Sequence, residues 1–161
     1  MKIEIRKFDK KDVINYMEEI TKMETDNFYT YHFPNKLGKH DQFIEKSTRL
    51  LENFIEQDQT YFYGVIDSNQ KLQGYIWFYE MITYEKRIIL RSIRVNSEIR
   101  RNKIGSNLMN IMKKVAKERQ VDVIALHYAI INKGAKKFYQ SLGFQEARVE
   151  MIFNNINEKS E

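Results

Sequence analysis

The stretch Ile93-Arg94-Val95-Asn96-Ser97-Glu98-Ile99-Arg100-Arg101-Asn102-Lys103-Ile104-Gly105-Ser106-Asn107-Leu108-Met109 decides how this chain is read. Just upstream, Arg87–Val95 is rich in Ile and Val, as a strand requires. Downstream, Ile104, Leu108, Ile111, Met112 and Val115 recur at helical spacing. A strand therefore passes through a short basic turn straight into an amphipathic helix. The first amides of a helix lack intrahelical partners and point outward, and the helix dipole adds positive potential there. A pyrophosphate set against them is stabilised without any special side chain. Gly105 lets the backbone approach phosphate oxygens closely, and Arg100, Arg101 and Lys103 add charge around the same spot. The competing reading is a helix start whose basic residues are simply solvated.

Working outward, Lys2–Phe8 alternates Ile3 and Ile5 with polar residues and reads as a first strand. Asp9 is placed to cap a helix carrying Val13, Met17, Ile20 and Met23. Pro34 and Lys36–Gly38 mark an irregular connection, followed by a second helix with Phe43, Leu50, Leu51, Phe54 and Ile55 inward. Thr60–Ile66, Leu72–Thr83 and Arg87–Val95 read as three antiparallel strands joined by hairpins. After the central helix, Val121–Ala129 reads as a buried strand, Gly134–Leu142 as a short helix and Phe144–Phe153 as a final strand. The order βααβββαβαβ places antiparallel strands first and a strand-helix-strand crossover later. Residues 1–161 are expected to form a single domain.

Composition narrows the function classes. A hydrophobic share of 42% and ten Tyr with ten Phe argue for a packed core and against disorder. No apolar run is long enough to span a bilayer, and MKIEIRKFDKKD has no apolar signal region, so a cytoplasmic location is expected. Cysteine is absent, which removes disulfides and thiolate chemistry. His32, His40 and His127 show no ligand spacing, so no metal site is expected. The net charge of +5 suits an anionic partner, and Lys113, Lys114 and Lys117 read as a solvated helix face. Nucleic-acid binding lacks a helix-turn-helix, a zinc finger or an aromatic-basic stripe, and a membrane-surface role lacks an aromatic anchor.

Val95 through Met109 resembles the coenzyme-A motif of the GNAT acetyltransferases, Val-x-Pro-x-x-Arg-x-x-Gly-Ile-Gly-x-x-Leu-Met. The match falls at Val95, Arg100, Ile104, Gly105, Leu108 and Met109. The family's second signature, Asn-x-x-Ala-x-x-Phe-Tyr-x-x-x-Gly-Phe, is matched by Asn132, Ala135, Phe138, Tyr139, Gly143 and Phe144. Lys103 departs from the family where a glycine usually sits, and Ser97 where a proline does. The resemblance implies an α/β (α+β) GNAT fold, with a mixed sheet of about six to seven strands, about four flanking helices and a splayed parallel pair at the coenzyme site.

The resemblance also implies roles for residues. Acetyl-coenzyme A would be held by Ile93, Arg94, Val95, Arg100, Arg101, Asn102, Lys103, Ile104, Gly105 and Ser106, with Asn132, Lys136 and Tyr139 from the second signature. The Ile93 amide would donate to the thioester carbonyl, Val95 would pair with the pantetheine amides, and Tyr139 would protonate the departing thiolate. The family's frequent glutamate base falls at Ile89, which cannot act, so Glu80 and His127 are the candidates for the base, with an amine that arrives deprotonated as the third possibility. Tyr29, His32, Arg91 and His127 are candidate acceptor contacts, and Arg91 with Arg94 would suit a carboxylate-bearing amine. The implied function is acetyl transfer to a primary amine, of a small molecule such as an amino acid. The rivals are a GNAT-fold protein that binds coenzyme without turnover and a protein N-terminal or lysine acetyltransferase. A monomer and a homodimer both remain open.

Overall fold

The computed structural model describes residues 2–32, 46, 49–57 and 59–151. The N-terminal alternation forms β1 (Ile3–Lys7), which pairs antiparallel with β2 (Thr60–Asp67). β3 (Leu72–Ile82) and β4 (Lys86–Val95) continue the antiparallel sheet, and β5 (Val123–Leu126) lies parallel to β4. The strand order follows the chain, β1-β2-β3-β4-β5. Helices α1 (Lys10–Asn15), α2 (Met17–Asn27) and α3 (residues 49–54) precede β2. α4 (Ile104–Glu118) follows β4, and α5 (Lys133–Ser141) follows β5.

Asp9 caps α1 as its position predicts: its carboxylate accepts the Asp12 amide at 2.9 Å, while the Asp12 carboxylate accepts the Asp9 amide at 3.1 Å. The single helix read through Val13 and Met23 breaks at Tyr16 (φ −105°, ψ 13°). Tyr16 stacks its ring on Phe8 at 5.3 Å and donates its hydroxyl to the Gln70 carbonyl, which turns the chain out of helical register. Two cores form, one on each face of the sheet. Phe8, Val13, Ile20, Leu51, Phe62, Tyr75 and Trp77 pack under α1, α2 and α3. On the other face, Ile76, Phe78, Ile88 and Leu90 meet Ile104, Leu108, Met109 and Met112 of α4.

The sheet has five strands among the described residues, not six to seven. Residues 144–151 form no strand, because the alternating Val149 and Met151 are 85% and 92% exposed and find no face to bury. β5 is also shorter than the reading Val121–Ala129, since its ladder with β4 ends at Leu90↔Leu126. Pro34, Lys36–Gly38, Phe43 and the end of the expected final strand lie outside the described residues. Among those described, no helix is long and apolar enough to cross a membrane.

Glu80 sits at the foot of this assembly, 5% exposed on the α4 face of β3. Its Oε1 accepts the Tyr61 hydroxyl and Arg119 Nε, each at 2.7 Å, and Lys86 Nζ lies 3.6 Å from its Oε2. One carboxylate thereby ties the end of α4 to β2, β3 and β4. Burial pushes the Glu80 carboxyl up, but the hydrogen bonds from Arg119 and Tyr61 and the charges of Arg119 and Lys86 outweigh it and hold its pKa below the ordinary value. The same burial, with Glu80 as partner, pushes the Tyr61 phenol up to about 12. Glu80→Gln is expected to lower the unfolding free energy by about 1–3 kcal/mol at neutral pH. Because the folded-state pKa is depressed, that contribution is complete above about pH 4.3 and is lost as pH falls through the folded value. Urea titrations should therefore show the gap between variant and wild type closing in acid.

Candidate active site

The site is a consequence of how β4 changes neighbours. Its ladder with β3 slips between Trp77↔Ser92 and Phe78↔Leu90, which makes Arg91 an extra residue in a β-bulge. An extra residue inverts which side chains face which side of the sheet. Before the bulge Ile88 and Leu90 point into the α4 core; after it Ile93 and Val95 pack there, and Ser92 and Arg94 reach toward α2. β5 stops pairing at Leu90, so residues 91–95 of β4 have no strand on that edge. A cavity of about 310 Å³ opens where the two strands part. Its walls take Leu90–Arg94 from β4, His127–Ala129 from the chain after β5, Asn132 and Tyr139 from α5, and Glu24 and Phe28 from α2 and the turn after it.

At one end of β4 the basic turn forms a 3-10 helix, Ser97–Asn102, and Lys103 adopts the left-handed conformation (φ 58°, ψ 17°) before α4 begins. That geometry explains why a glycine suits this place, and a lysine there costs about 1 kcal/mol. The first intrahelical bond runs from the Asn107 amide to the Lys103 carbonyl, so the amides of Ile104, Gly105 and Ser106 have no helical acceptor. Arg100 donates Nε to the Val95 carbonyl at 2.8 Å, fixing the turn to the strand. Gly105 has a packing reason as well: a Cβ there would lie 3.2 Å from the Phe138 ring. None of Val95 to Ser106 lines the cavity itself.

α5 positions Tyr139. Asn132 caps the helix, its side chain accepting the Ala135 amide at 3.0 Å, and it also faces the cavity. At the other end Gly143 (φ 91°) lets the Gly143 amide reach the Gln140 carbonyl and the Phe144 amide reach the Tyr139 carbonyl. This is a Schellman cap, with Phe144 folding back against Tyr139, ring centroids 6.1 Å apart. The second sequence signature is thus largely a helix with both ends capped. Lys113 is not a solvated helix residue: it donates to the Leu142 carbonyl at 2.8 Å and covers the Phe144 ring. Tyr139 is 8% exposed, and burial raises its pKa while the Arg94 charge opposes the rise, so the phenol keeps its proton at neutral pH. Lys136 pairs with Glu146 at 2.8 Å, which also accepts the Tyr128 hydroxyl.

The wall facing α2 holds what the sequence reading missed. Glu24 accepts the hydroxyls of Tyr75 and Ser92 on Oε1 and Arg94 Nη2 on Oε2 at 3.2 Å. Arg94 also donates Nη1 to the Ile93 carbonyl at 2.8 Å, and its buried Nε–H has no acceptor among the described residues. The signal was present: Val13, Met17, Ile20 and Glu24 share one helical stripe, and a carboxylate on an apolar stripe needs partners. Of the other predicted contacts, Arg91 and His127 line the cavity. Tyr29 and His32 lie on the π-helical turn Phe28–His32 without lining it. Glu80 is not brought to the cavity, being committed to Arg119 and Tyr61 at the far end of α4.

Residues 17–144 match the model of the acetyltransferase (GNAT) family, and the chain belongs to that family. It is similar to the probable N-acetyltransferase camello of Xenopus tropicalis, 23% identical over 115 residues, or 71% of this chain and 52% of that one. It is 28% identical over 143 residues to the uncharacterized N-acetyltransferase MJ1207 of Methanocaldococcus jannaschii, covering 83% of this chain and 62% of that one. The chain therefore spans about half to three-fifths the length of these two curated relatives. A putative acetyl transferase from Pyrococcus furiosus superposes with a TM-score of 0.74 at 25% identity, over 96% of this chain and 100% of that one. Because Gly143 holds the cap that seats Tyr139, Gly143→Ala is expected to destabilise the protein by about 1 kcal/mol. Thermal unfolding checks this, and an unchanged melting temperature would remove the cap from the account.

Proposed function

We propose that this chain transfers the acetyl group of acetyl-coenzyme A to the primary amine of a small molecule, such as an amino acid, by direct transfer in a ternary complex. The observation that carries this reading is a cavity lined both by the unpaired edge of β4 and by Tyr139, at the parting of β4 and β5. The residues fit the coenzyme. The unpartnered amides at the start of α4 suit its pyrophosphate, and the expected contacts Arg100, Arg101, Asn102 and Lys103 come just before them in the chain. Residues 93–95 of β4 suit an extended arm that adds to a strand edge, and Asn132 borders the same path.

The coenzyme supplies the acetyl thioester. The Ile93 amide donates to the thioester carbonyl oxygen as negative charge grows on it, a donation that in comparable sites is worth roughly 3 kcal/mol. Tyr139, kept protonated by burial, gives its proton to the departing sulfur. His127 is the remaining candidate to take the proton from the amine, directly or through water. An amine that arrives deprotonated needs no base. The reading asks for no nucleic-acid or membrane partner, in a cytoplasmic monomer or homodimer.

Calorimetry with acetyl-coenzyme A should show Lys103→Glu binding roughly 10- to 100-fold more weakly than wild type, with circular dichroism unchanged. Equal affinities would remove Lys103 from the phosphate site. Tyr139→Phe is expected to lower kcat by about 100-fold in a thiol-release assay. A variant as fast as wild type would remove Tyr139 from the chemistry, and binding without thiol release to any amine would favour a coenzyme-binding protein.

A further inference from the structure

The two arginines on the α2 side of β4 are not equivalent. Arg94 is half-buried and neutralised, its guanidinium paired with Glu24 and tied to the Ile93 carbonyl. Arg91 is exposed and lines the same cavity, yet it makes no ion pair among the described residues. Its guanidinium lies over the Trp77 ring, 5.5 Å from the centroid. It shares the place opposite Trp77 with Ser92, because the bulge sets two residues of β4 against one of β3.

Among the described residues of the cavity wall, two guanidinium groups face one carboxylate, which leaves the positive charge of Arg91 uncompensated. A guanidinium held over an indole by cation–π attraction keeps its N–H groups available to form a paired hydrogen-bond fork. An oxygen pair on a planar anion matches that fork. A cationic group in the same place would meet an unpaired like charge inside a partly desolvated cleft.

We propose that Arg91 is the residue that sets acceptor specificity, by binding an oxyanion carried on the amine substrate. Glu24 and Trp77 are positioning residues: one holds Arg94 out of competition for that anion, the other holds the Arg91 guanidinium over its ring. The acceptor class is then amines bearing a carboxylate or a phosphate, as against diamines, polyamines and neutral amines. The turnover part of this inference rests on the acetyltransferase reading; the anion preference does not.

The test is calorimetry on the full chain, with and without coenzyme A. The probes are common amino acids beside their carboxamides, phosphoethanolamine beside ethanolamine, and putrescine. Wild type should bind the acid-bearing member of a pair roughly 10- to 100-fold more tightly than its neutral counterpart. The pair that shows the gap tells carboxylate from phosphate. Arg91→Gln should erase the gap, and Arg91→Lys should restore part of it, with melting temperature and coenzyme A affinity as in wild type. In thiol release the same variant should raise the acceptor KM and leave kcat nearly unchanged. Equal binding within each pair, no binding by any acid-bearing probe, tighter binding of putrescine, or a preference that survives in Arg91→Gln would each overturn the proposal. Failure of coenzyme A to bind would instead overturn the acetyltransferase reading, while the anion preference is still read on the free protein.

Discussion

Up to Leu90, β4 is hydrogen-bonded on both sides; from Arg91 onward only β3 holds it. The extra residue at Arg91 sits at the point of change. A bulge bends and twists the strand that carries it, and here the bend falls where the ladder to β5 ends. The same insertion reverses the side-chain alternation. Without it, Ser92 and Arg94 would point into the packing of Ile104, Leu108 and Met109, and Ile93 and Val95 would face α2. Placing an unpaired guanidinium in that core would cost several kcal/mol. The cleft, the open strand edge and the polar wall on the α2 side therefore share one geometric origin.

Two inward carboxylates, Glu80 buried and Glu24 half-buried, show how a basic chain uses its acids. Glu80 and Glu24 lie on opposite faces of the sheet, each saturated by hydroxyl and guanidinium donors. Glu80 fastens the C-terminal end of α4, the helix whose other end presents free amides. Glu24 fastens Arg94 and buries the Tyr75 hydroxyl, whose pKa burial and the neighbouring Glu24 charge push well above its ordinary value. In both places the ion pair is a partly dry one in which removing one partner strands the other. The two ends of the sheet are braced by charge, and the middle by apolar packing.

What was legible in the sequence was local. The strand-to-helix junction showed because the apolar period changes from two to 3.6 within a few residues of Asn96. Asp9 showed because a cap is written in neighbouring residues. Glu24 was missed because its three partners lie 51, 68 and 70 residues away. The bulge was equally hidden: nothing in Arg87–Val95 marks which residue is the extra one, since that depends on the register with β3. Lys113 looked like surface because its acceptor, the Leu142 carbonyl, belongs to another helix. The final strand was over-read from alternation alone, without a face for Val149 and Met151 to cover.

The cap at the end of α5 has a consequence for how the chain can change length. The Tyr139 carbonyl accepts the amides of both Leu142 and Phe144, so the distance from Tyr139 to Gly143 works as a ruler. One residue inserted between them turns the helix by about 100°. The left-handed position would then fall on a side chain that resists it, and Phe144 would swing away from the ring it covers. Insertions and deletions are excluded from this stretch by backbone hydrogen bonds, whatever the side chains are.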